Sequence, residues 1–260
     1  MMEDVTENGL FGKKVFFLNP PAVLEEIIPL LSQSEFEVYT TRDHIRLARF
    51  ICKEPQSLIF INIDEGEDET VWRGWIQKLH ADPVTANVGI GVLTMMGNDD
   101  QRNAYLMDLG VNCGFIILKM GSAKTAEILI RTLEANEARG KRKYVRIKCP
   151  PDSAEFNCKI DGELHRGTVL DLSIAGMAVF FSGGHAPPVN SRIKDIQLSL
   201  KGLRIMVNGI VVGAKEMDGH GPLRLAMFEP ASLDEDKRLK LRSFIGKVLQ
   251  SSINEKIAMA

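Results

Sequence analysis

The sequence predicts two domains of different class, a parallel α/β sheet in residues 1–138 and an all-β antiparallel barrel with a C-terminal helix in residues 139–260. Three observations predict this division. The chain has 260 residues, which exceeds the usual size of one domain. Apolar runs alternate with helical segments in the first part, whereas short strands of period two fill the second. The charge also changes, because the first part carries 12 Lys/Arg against 21 Asp/Glu and the second carries 20 against 13.

Five strand-then-helix units follow one another in the first part. The first strand is a short apolar run that ends at Pro20 and Pro21, which is typical of a buried parallel strand. Strands that alternate with helices in this way predict a parallel sheet covered on both faces. The predicted strands are Lys14–Asn19, Phe36–Thr40, Ser57–Asp64, Val88–Met95 and Cys113–Leu118, and the predicted helices are Val23–Leu31, His44–Lys53, Val71–His80, Gln101–Leu109 and Ala123–Ala138.

This layout resembles the flavodoxin-like fold of response-regulator receivers. The resemblance implies a phosphoacceptor site with Asp64 at the end of the third strand, Thr94 after the fourth and Lys119 after the fifth, at the edge where open α/β sheets place their sites. Receivers also hold Mg²⁺ with a pair of acids after the first strand, and Asn19 and Pro20 stand there instead. Because Mg²⁺ is usually held by carboxylates, waters and phosphate, we predict a vestigial site in a module for interaction or dimerisation. Phosphorylation at Asp64 remains the alternative.

In the second part the hydrophobic period changes to two. Evenly spaced short strands between Gly, Pro and Asp turns predict an antiparallel barrel. A capping-box pattern from Ser232 to Glu235 then opens an amphipathic helix. The predicted strands begin at Tyr144 and continue as Glu155–Ile160, Arg166–Leu172, Met177–Phe181, Ile193–Leu200, Leu203–Gly213 and Leu223–Phe228.

A basic segment joins the two predicted domains. Six of the ten residues in Arg139–Lys148 are basic and none is acidic, and a second polar motif follows about thirty residues later. The two motifs are Arg142-x-x-x-Arg146 and Asp171-x-Ser173-x-x-Gly176. Together they resemble the two motifs of PilZ domains, which bind the bacterial second messenger cyclic di-GMP.

The PilZ resemblance implies a six-stranded barrel with a C-terminal helix and a binding site for a doubly anionic ligand. It implies phosphate and base contacts for Arg142 and Arg146, because arginine pairs bidentately with phosphate and with guanine O6/N7. In an extended chain the two arginines would face the same way about 13 Å apart, and in a helix they would also share a face. The resemblance also implies guanine contacts for Asp171, Ser173 and Gly176, the glycine permitting a positive φ and a close approach of the ligand. Arg139, Lys141 and Lys143 are expected to assist electrostatically.

The predicted function is that of a cyclic di-GMP effector or adaptor. It would sense the messenger through the PilZ domain and relay it by domain reorientation to an unidentified protein partner of the receiver-like domain, in motility or biofilm regulation by family analogy. The alternative is a phosphorylation-controlled response regulator, acting at Asp64, with a PilZ output. The pattern leaves the oligomeric state open, a homodimer included.

Other classes of function are disfavoured. No nucleophile–base pair, Walker-type loop or metal-ligand cluster is present in the sequence, so we expect no enzyme, cofactor or metal. Nucleic-acid binding is disfavoured, because Tyr144 is the one aromatic residue in the basic run and stacking platforms are missing. The longest apolar runs are too short to span a bilayer and the N-terminus lacks a signal layout, so a cytoplasmic location without membrane association is expected.

Overall fold

A computed structural model describes residues 11–183, 186–217 and 221–260 of the chain. The described residues form two compact units. The first unit contains residues 11–143 together with residues 250–260, and the second contains residues 144–249. The basic segment as far as Lys143 and the end of the last helix therefore belong to the first unit.

The first unit is built on a five-stranded parallel sheet with the strand order β2-β1-β3-β4-β5. The β3 and β4 strands are buried along their whole length, as expected for a parallel sheet covered on both faces. This architecture confirms the flavodoxin-like prediction. The strands are β1 (Lys14–Leu18), β2 (Glu37–Thr41), β3 (Leu58–Asn62), β4 (Gly89–Thr94) and β5 (Phe115–Ile117).

Five helices follow the five strands of the sheet. The first and the fifth helices pack together through buried residues at helical spacing, which are Leu24, Ile27 and Leu31 of the first helix and Leu129 and Leu133 of the fifth. The fourth helix continues into a π-helical turn at Ala104–Asp108. The helices are α1 (Leu24–Gln33), α2 (His44–Ile51), α3 (Glu69–Ala81), α4 (Asp99–Asn103) and α5 (Ser122–Ala135).

Several predicted boundaries in the first unit differ from the structure, two of them close to candidate site residues. The β3 strand ends at Asn62, so Asp64 lies two residues beyond the strand and not at its end. The α5 helix ends at Ala135 and not at Ala138, and Glu137 adopts a positive φ of 53°. In both places a buried apolar residue, Ile63 or Ala138, lies beyond the end of the regular element, so the residue pattern extends the prediction too far.

The outer edge of β2 is covered by a side chain from the end of the last helix. Gln250 Nε2 donates to the Thr40 carbonyl at 2.9 Å, and the Thr40 amide donates to Gln250 Oε1 at 2.9 Å. Gln250 Nε2 also donates to Asn254 Oδ1 at 2.8 Å, which orients the amide. The glutamine side chain thus makes the two hydrogen bonds that a neighbouring strand would make to Thr40, at an edge that would otherwise present unpaired backbone groups.

The second unit is an antiparallel barrel. Six strands close a ring in the order β7-β10-β11-β12-β9-β8, because β8 pairs with both β9 and β7, and the short β6 strand pairs with residues 171–173 of β8. The six-stranded prediction is therefore confirmed, with β6 as an addition to the ring. The strands are β6 (Arg146–Lys148), β7 (Ala154–Ile160), β8 (Glu163–Ser173), β9 (Gly176–Phe181), β10 (Arg192–Leu200), β11 (Leu203–Met217) and β12 (Gly221–Phe228).

Alternate residues of the barrel strands face the core. One inward row crosses five strands, and each of its members is at most 5% exposed. The residues on either side of this row in each strand face outward, because side chains alternate along a strand. The row consists of Ile147, Leu172, Met177, Ala226 and Val211.

The last helix, α6 (Glu235–Ala258), begins after the barrel. Its residues Leu241, Phe244 and Ile245 belong to the barrel core. The helix is capped by Asp234, whose side chain accepts from the Lys237 amide at 2.9 Å. The expected capping role of Ser232 is therefore wrong, because its hydroxyl donates to the Glu229 carbonyl instead. Within the described residues, the helices are too short or too polar to cross a membrane.

Candidate functional site

The pairing of β6 with β8 brings together most of the predicted ligand residues. Arg146 lies directly opposite Ser173, and Lys148 lies directly opposite Asp171. Directly opposed residues of antiparallel strands place their side chains on the same face. Because the residues between them, Ile147 and Leu172, are buried in the core, these four residues share the outer face of the barrel.

Lys148 is not among the predicted ligand residues. Its signal is present in the sequence, because period-two alternation places Lys148 on the same face as Arg146. The structure adds the partner strand, which puts Lys148 opposite the Asp171 carboxylate and Arg146 opposite the Ser173 hydroxyl. The outer face therefore carries two cationic side chains next to a carboxylate and a hydroxyl.

Ser173 and Asp171 differ in exposure. Ser173 is 6% exposed, and its hydroxyl donates to the Gly176 carbonyl at 3.3 Å and accepts from the Ala175 amide at 3.2 Å. These bonds hold the tight turn between β8 and β9. Asp171 is half-buried. Burial, with a smaller contribution from the Asp171 charge, raises the pKa of the Cys149 thiol to about 12.

Gly176 is constrained in a different way from the one predicted. It does not adopt a positive φ, so the expected left-handed turn is wrong. A Cβ atom at this position would lie 2.3 Å from the Ala226 carbonyl oxygen and 3.1 Å from the Met227 Cα. The glycine is therefore required by the close approach of the β12 backbone, which lies directly opposite it.

Arg142 lies in the bend that precedes β6, so the segment from Arg142 to Arg146 is not one continuous strand. The Arg142 guanidinium stacks on the ring of Phe11 at 4.3 Å, a cation–π contact within the first unit. Within that unit Arg139 forms an ion pair with Glu134 at 3.0 Å. The Arg139 guanidinium also lies 4.9 Å from the centre of an aromatic ring, that of Phe36.

The other two basic residues that are expected to assist the ligand, Lys141 and Lys143, are exposed. Both lie in the first unit together with Arg139 and Arg142. The four motif residues that lie in the second unit are Arg146, Asp171, Ser173 and Gly176. The structure thus brings together four of the five motif residues. The participation of Arg142 and of the three assisting residues stays a prediction.

A second candidate site lies at the carboxyl edge of the parallel sheet. The Asp64 carboxylate accepts from the Thr94 hydroxyl at 2.6 Å and from the Met95 amide at 2.5 Å. Lys119 is exposed in the 3₁₀ turn after β5, and Asp64 is exposed as well. The structure therefore brings Asp64 and Thr94 into contact.

Amides occupy the strand ends at this edge. Asn62 is the last residue of β3 and is 1% exposed, and Asn19 follows the neighbouring strand β1 and is 6% exposed. The last residue of β3 is thus an amide, and the Asp64 carboxylate lies two residues beyond it. Within the part of the chain that the structure describes, no group of three or more His, Cys, Asp or Glu side chains is placed to hold a metal ion.

Comparisons with known proteins find a family model that matches part of the chain and solved structures that are similar to it. A family model described as PilZ domain matches residues 140–247. Among solved structures, the chain is similar to Escherichia coli YcgR in complex with c-di-GMP at 17% identity and a TM-score of 0.41, covering 47% of this chain and 52% of that one. It is also similar to a response regulator from Desulfuromonas acetoxidans at 19% identity and a TM-score of 0.38, covering 48% and 98%. A search of curated proteins gives no significant match. The chain thus spans about half the length of the YcgR chain that it matches.

Proposed function

Because residues 140–247 form a PilZ domain, we propose that this chain is a non-enzymatic effector that binds cyclic di-GMP on the outer face of its barrel. The observation that carries the proposal is the strand register. Arg146 opposite Ser173 and Lys148 opposite Asp171 gather donors for phosphate and acceptors for guanine on one surface. Neither motif alone has this chemistry, and only their pairing across β6 and β8 creates it.

Each side chain has a role that follows from its chemistry. The Arg146 guanidinium is exposed and offers a planar fork of donors to a phosphodiester or to guanine O6/N7. Lys148 adds a second cation that lowers the repulsion of the second phosphate. The Asp171 carboxylate accepts from guanine N1–H and the 2-amino group, which adenine lacks, and this selects guanine. Arg142, from its bend before β6, is the second arginine that we assign to the ligand.

Calorimetric titration of the full chain with cyclic di-GMP tests this function. We expect binding of cyclic di-GMP and much weaker binding of cyclic di-AMP. Arg146→Ala is expected to weaken binding at least tenfold, because a hydrogen bond to a charged group contributes about 1.5–3 kcal/mol and each tenfold of affinity is about 1.4 kcal/mol. Failure of the wild-type chain to bind would end the proposal.

Arg204→Ala is a matched control for the loss of one positive charge. Arg204 is also an exposed arginine of the barrel, but it lies on β11 opposite Ser199 of β10 and away from the β6–β8 pair. We expect the affinity of this variant to stay within twofold of wild type. An equal loss in both variants would mean that net charge, and not the site, attracts the nucleotide.

We further propose that the first unit serves as a protein-interaction module that passes the messenger signal to a partner without being phosphorylated. The amides Asn19 and Asn62 at the strand ends support this proposal, since neither supplies the carboxylate that Mg²⁺ and phosphoryl transfer need. Incubation with acetyl phosphate and Mg²⁺ should leave the mass of the intact chain unchanged. A stable increase of one phosphoryl group that Asp64→Asn removes would favour the alternative of a phosphorylation-controlled regulator.

A further inference from the structure

The outer face of the proposed site continues from β8 across two more strands. In one row, Ser173 of β8 lies opposite Gly176 of β9, and Gly176 lies opposite Met227 of β12. A parallel row runs in the same way from Asp171 to Leu225. Because directly opposed residues face the same side of a sheet, Met227 and Leu225 share a face with the polar residues of the motif.

Met227 and Leu225 are both exposed, although they are large apolar residues. Met227 is 54% exposed and Leu225 is 42% exposed, whereas Ala226 between them is 3% exposed. These two apolar side chains stand at the border of the polar site. Burial of their exposed surface against an apolar part of a ligand would favour binding.

The part of β9 between the polar and the apolar residues carries only small side chains, so it is recessed relative to the residues on either side. It consists of Gly176 and Ala178, which have the smallest side chains available, and the Ala226 carbonyl leaves no room for a larger residue in place of Gly176. Neighbouring strands are about 4.8 Å apart, so β8 and β12 are separated across β9 by about 10 Å. The outer face therefore has a polar side, a low floor of small residues at which Ala178 is 5% exposed, and an apolar side.

We propose that Met227 and Leu225 form the apolar side of the ligand site and pack against the face of a guanine base and its ribose while Asp171 reads the edge of that base. This inference rests on the proposed binding of cyclic di-GMP. The chemistry of cyclic di-GMP complements this surface, because each half of the ligand has an anionic phosphate, a polar base edge and an apolar base face. The thioether of Met227 suits the aromatic face, since a polarisable sulfur makes favourable contacts with rings.

Methyl NMR of the full chain tests the contact directly. The chain contains 11 methionines, and labelling of their ε-methyl groups gives one signal for each. On addition of cyclic di-GMP we expect the Met227 signal to shift and to show a cross-relaxation peak with guanine H8. Met206 is equally exposed at 53% but lies opposite Gln197 on β10, so its signal should not move.

Affinity provides the second readout. Met227→Ser is expected to weaken cyclic di-GMP binding about five- to tenfold, through loss of buried apolar surface. Because this loss is apolar, its size should be the same at low and high salt, whereas the loss in Arg146→Ala should shrink as salt screens the charge. Met206→Ser is the matched control and should bind within twofold of wild type.

The outcomes separate this inference from the function on which it rests. If the wild-type chain fails to bind cyclic di-GMP, both are overturned. A second outcome is that the wild type binds and Arg146→Ala loses affinity, while the Met227 methyl signal does not shift and Met227→Ser binds normally. In that case the proposed function stands and the apolar side of the site is overturned. Should Met227→Ser fail to fold, the methyl signals of the wild type and the binding of Met227→Leu, expected to be nearly normal, decide the case.

Discussion

Among single residues, Gly176 shows how a motif position can be constrained by its neighbour and not by its own backbone angle. A side chain there would meet the Ala226 carbonyl, which belongs to the β12 backbone and cannot move without disturbing the barrel. The same glycine also forms part of the floor of the proposed ligand site. The lack of a side chain at this position therefore serves packing and access together.

Gly176→Ala is expected to destabilise the second unit by about 1–3 kcal/mol, the usual cost of forcing extra volume into a packed region. Calorimetric melting of the full chain should show a lowered transition. Gly246→Ala is the control, because a Cβ at this position of α6 would meet nothing within 4 Å and alanine favours the helix. Equal stability of Gly176→Ala and wild type would mean that β12 can move away.

The four cysteines give a second prediction about individual side chains. Burial raises the pKa of Cys113 and Cys158 to about 11, and burial with the Asp171 charge raises that of Cys149 to about 12, whereas Cys52 is exposed. Alkylation requires the thiolate. At pH 8 iodoacetamide should therefore modify Cys52 alone in the native chain and all four thiols in urea, as intact-mass measurement would show. Rapid native labelling of Cys149 would contradict this packing.

Some residues of the proposed site could be predicted from the sequence and others could not. Arg146, Asp171 and Ser173 belong to short motifs whose spacing can be read without a structure. Met227 and Leu225 belong to a run of apolar residues in which inward and outward positions look alike. Only the pairing of β12 with β9 identifies which members of that run lie on the face of the motif.

Among the strands and helices, the order could be predicted because the hydrophobic period changes from helical to alternating at the joint. The ends of these elements are harder to predict from the sequence. The β3 strand ends at Asn62, although Ile63 continues the apolar run. The α5 helix ends at Ala135, two residues before Glu137 adopts a positive φ. Local hydrogen bonds decide such ends, and the residue pattern does not record them.

The covered edge of β2 gives a prediction for one strand. Gln250→Ala removes both hydrogen bonds to Thr40, and we expect a loss of about 1–2 kcal/mol from the first unit. The Thr40 amide should also exchange with solvent faster, which hydrogen-exchange NMR measures. Ser251→Ala, an exposed neighbour on the same helix, should change neither quantity. Unchanged exchange at Thr40 in Gln250→Ala would mean that another group protects the edge.

For the chain as a whole, the two fold classes could be predicted because each is set by many residues at once. The parallel sheet follows from five repeated units and the barrel from seven short strands. The return of residues 250–260 to the first unit has no such signal, since these residues continue a helix that begins in the second unit. Sequence order alone gives no reason for such a return.

That return matters for anyone who cuts the chain into pieces. A fragment ending at Lys143 would lack Gln250 and leave Thr40 unpaired, while the complementary fragment would carry Ile253 and Ile257, which are 2% and 5% exposed in the intact chain, into water. Neither fragment would therefore contain all the residues that its unit packs in the intact chain. The two fragments should therefore associate when they are mixed, which makes the chain suited to split-protein complementation.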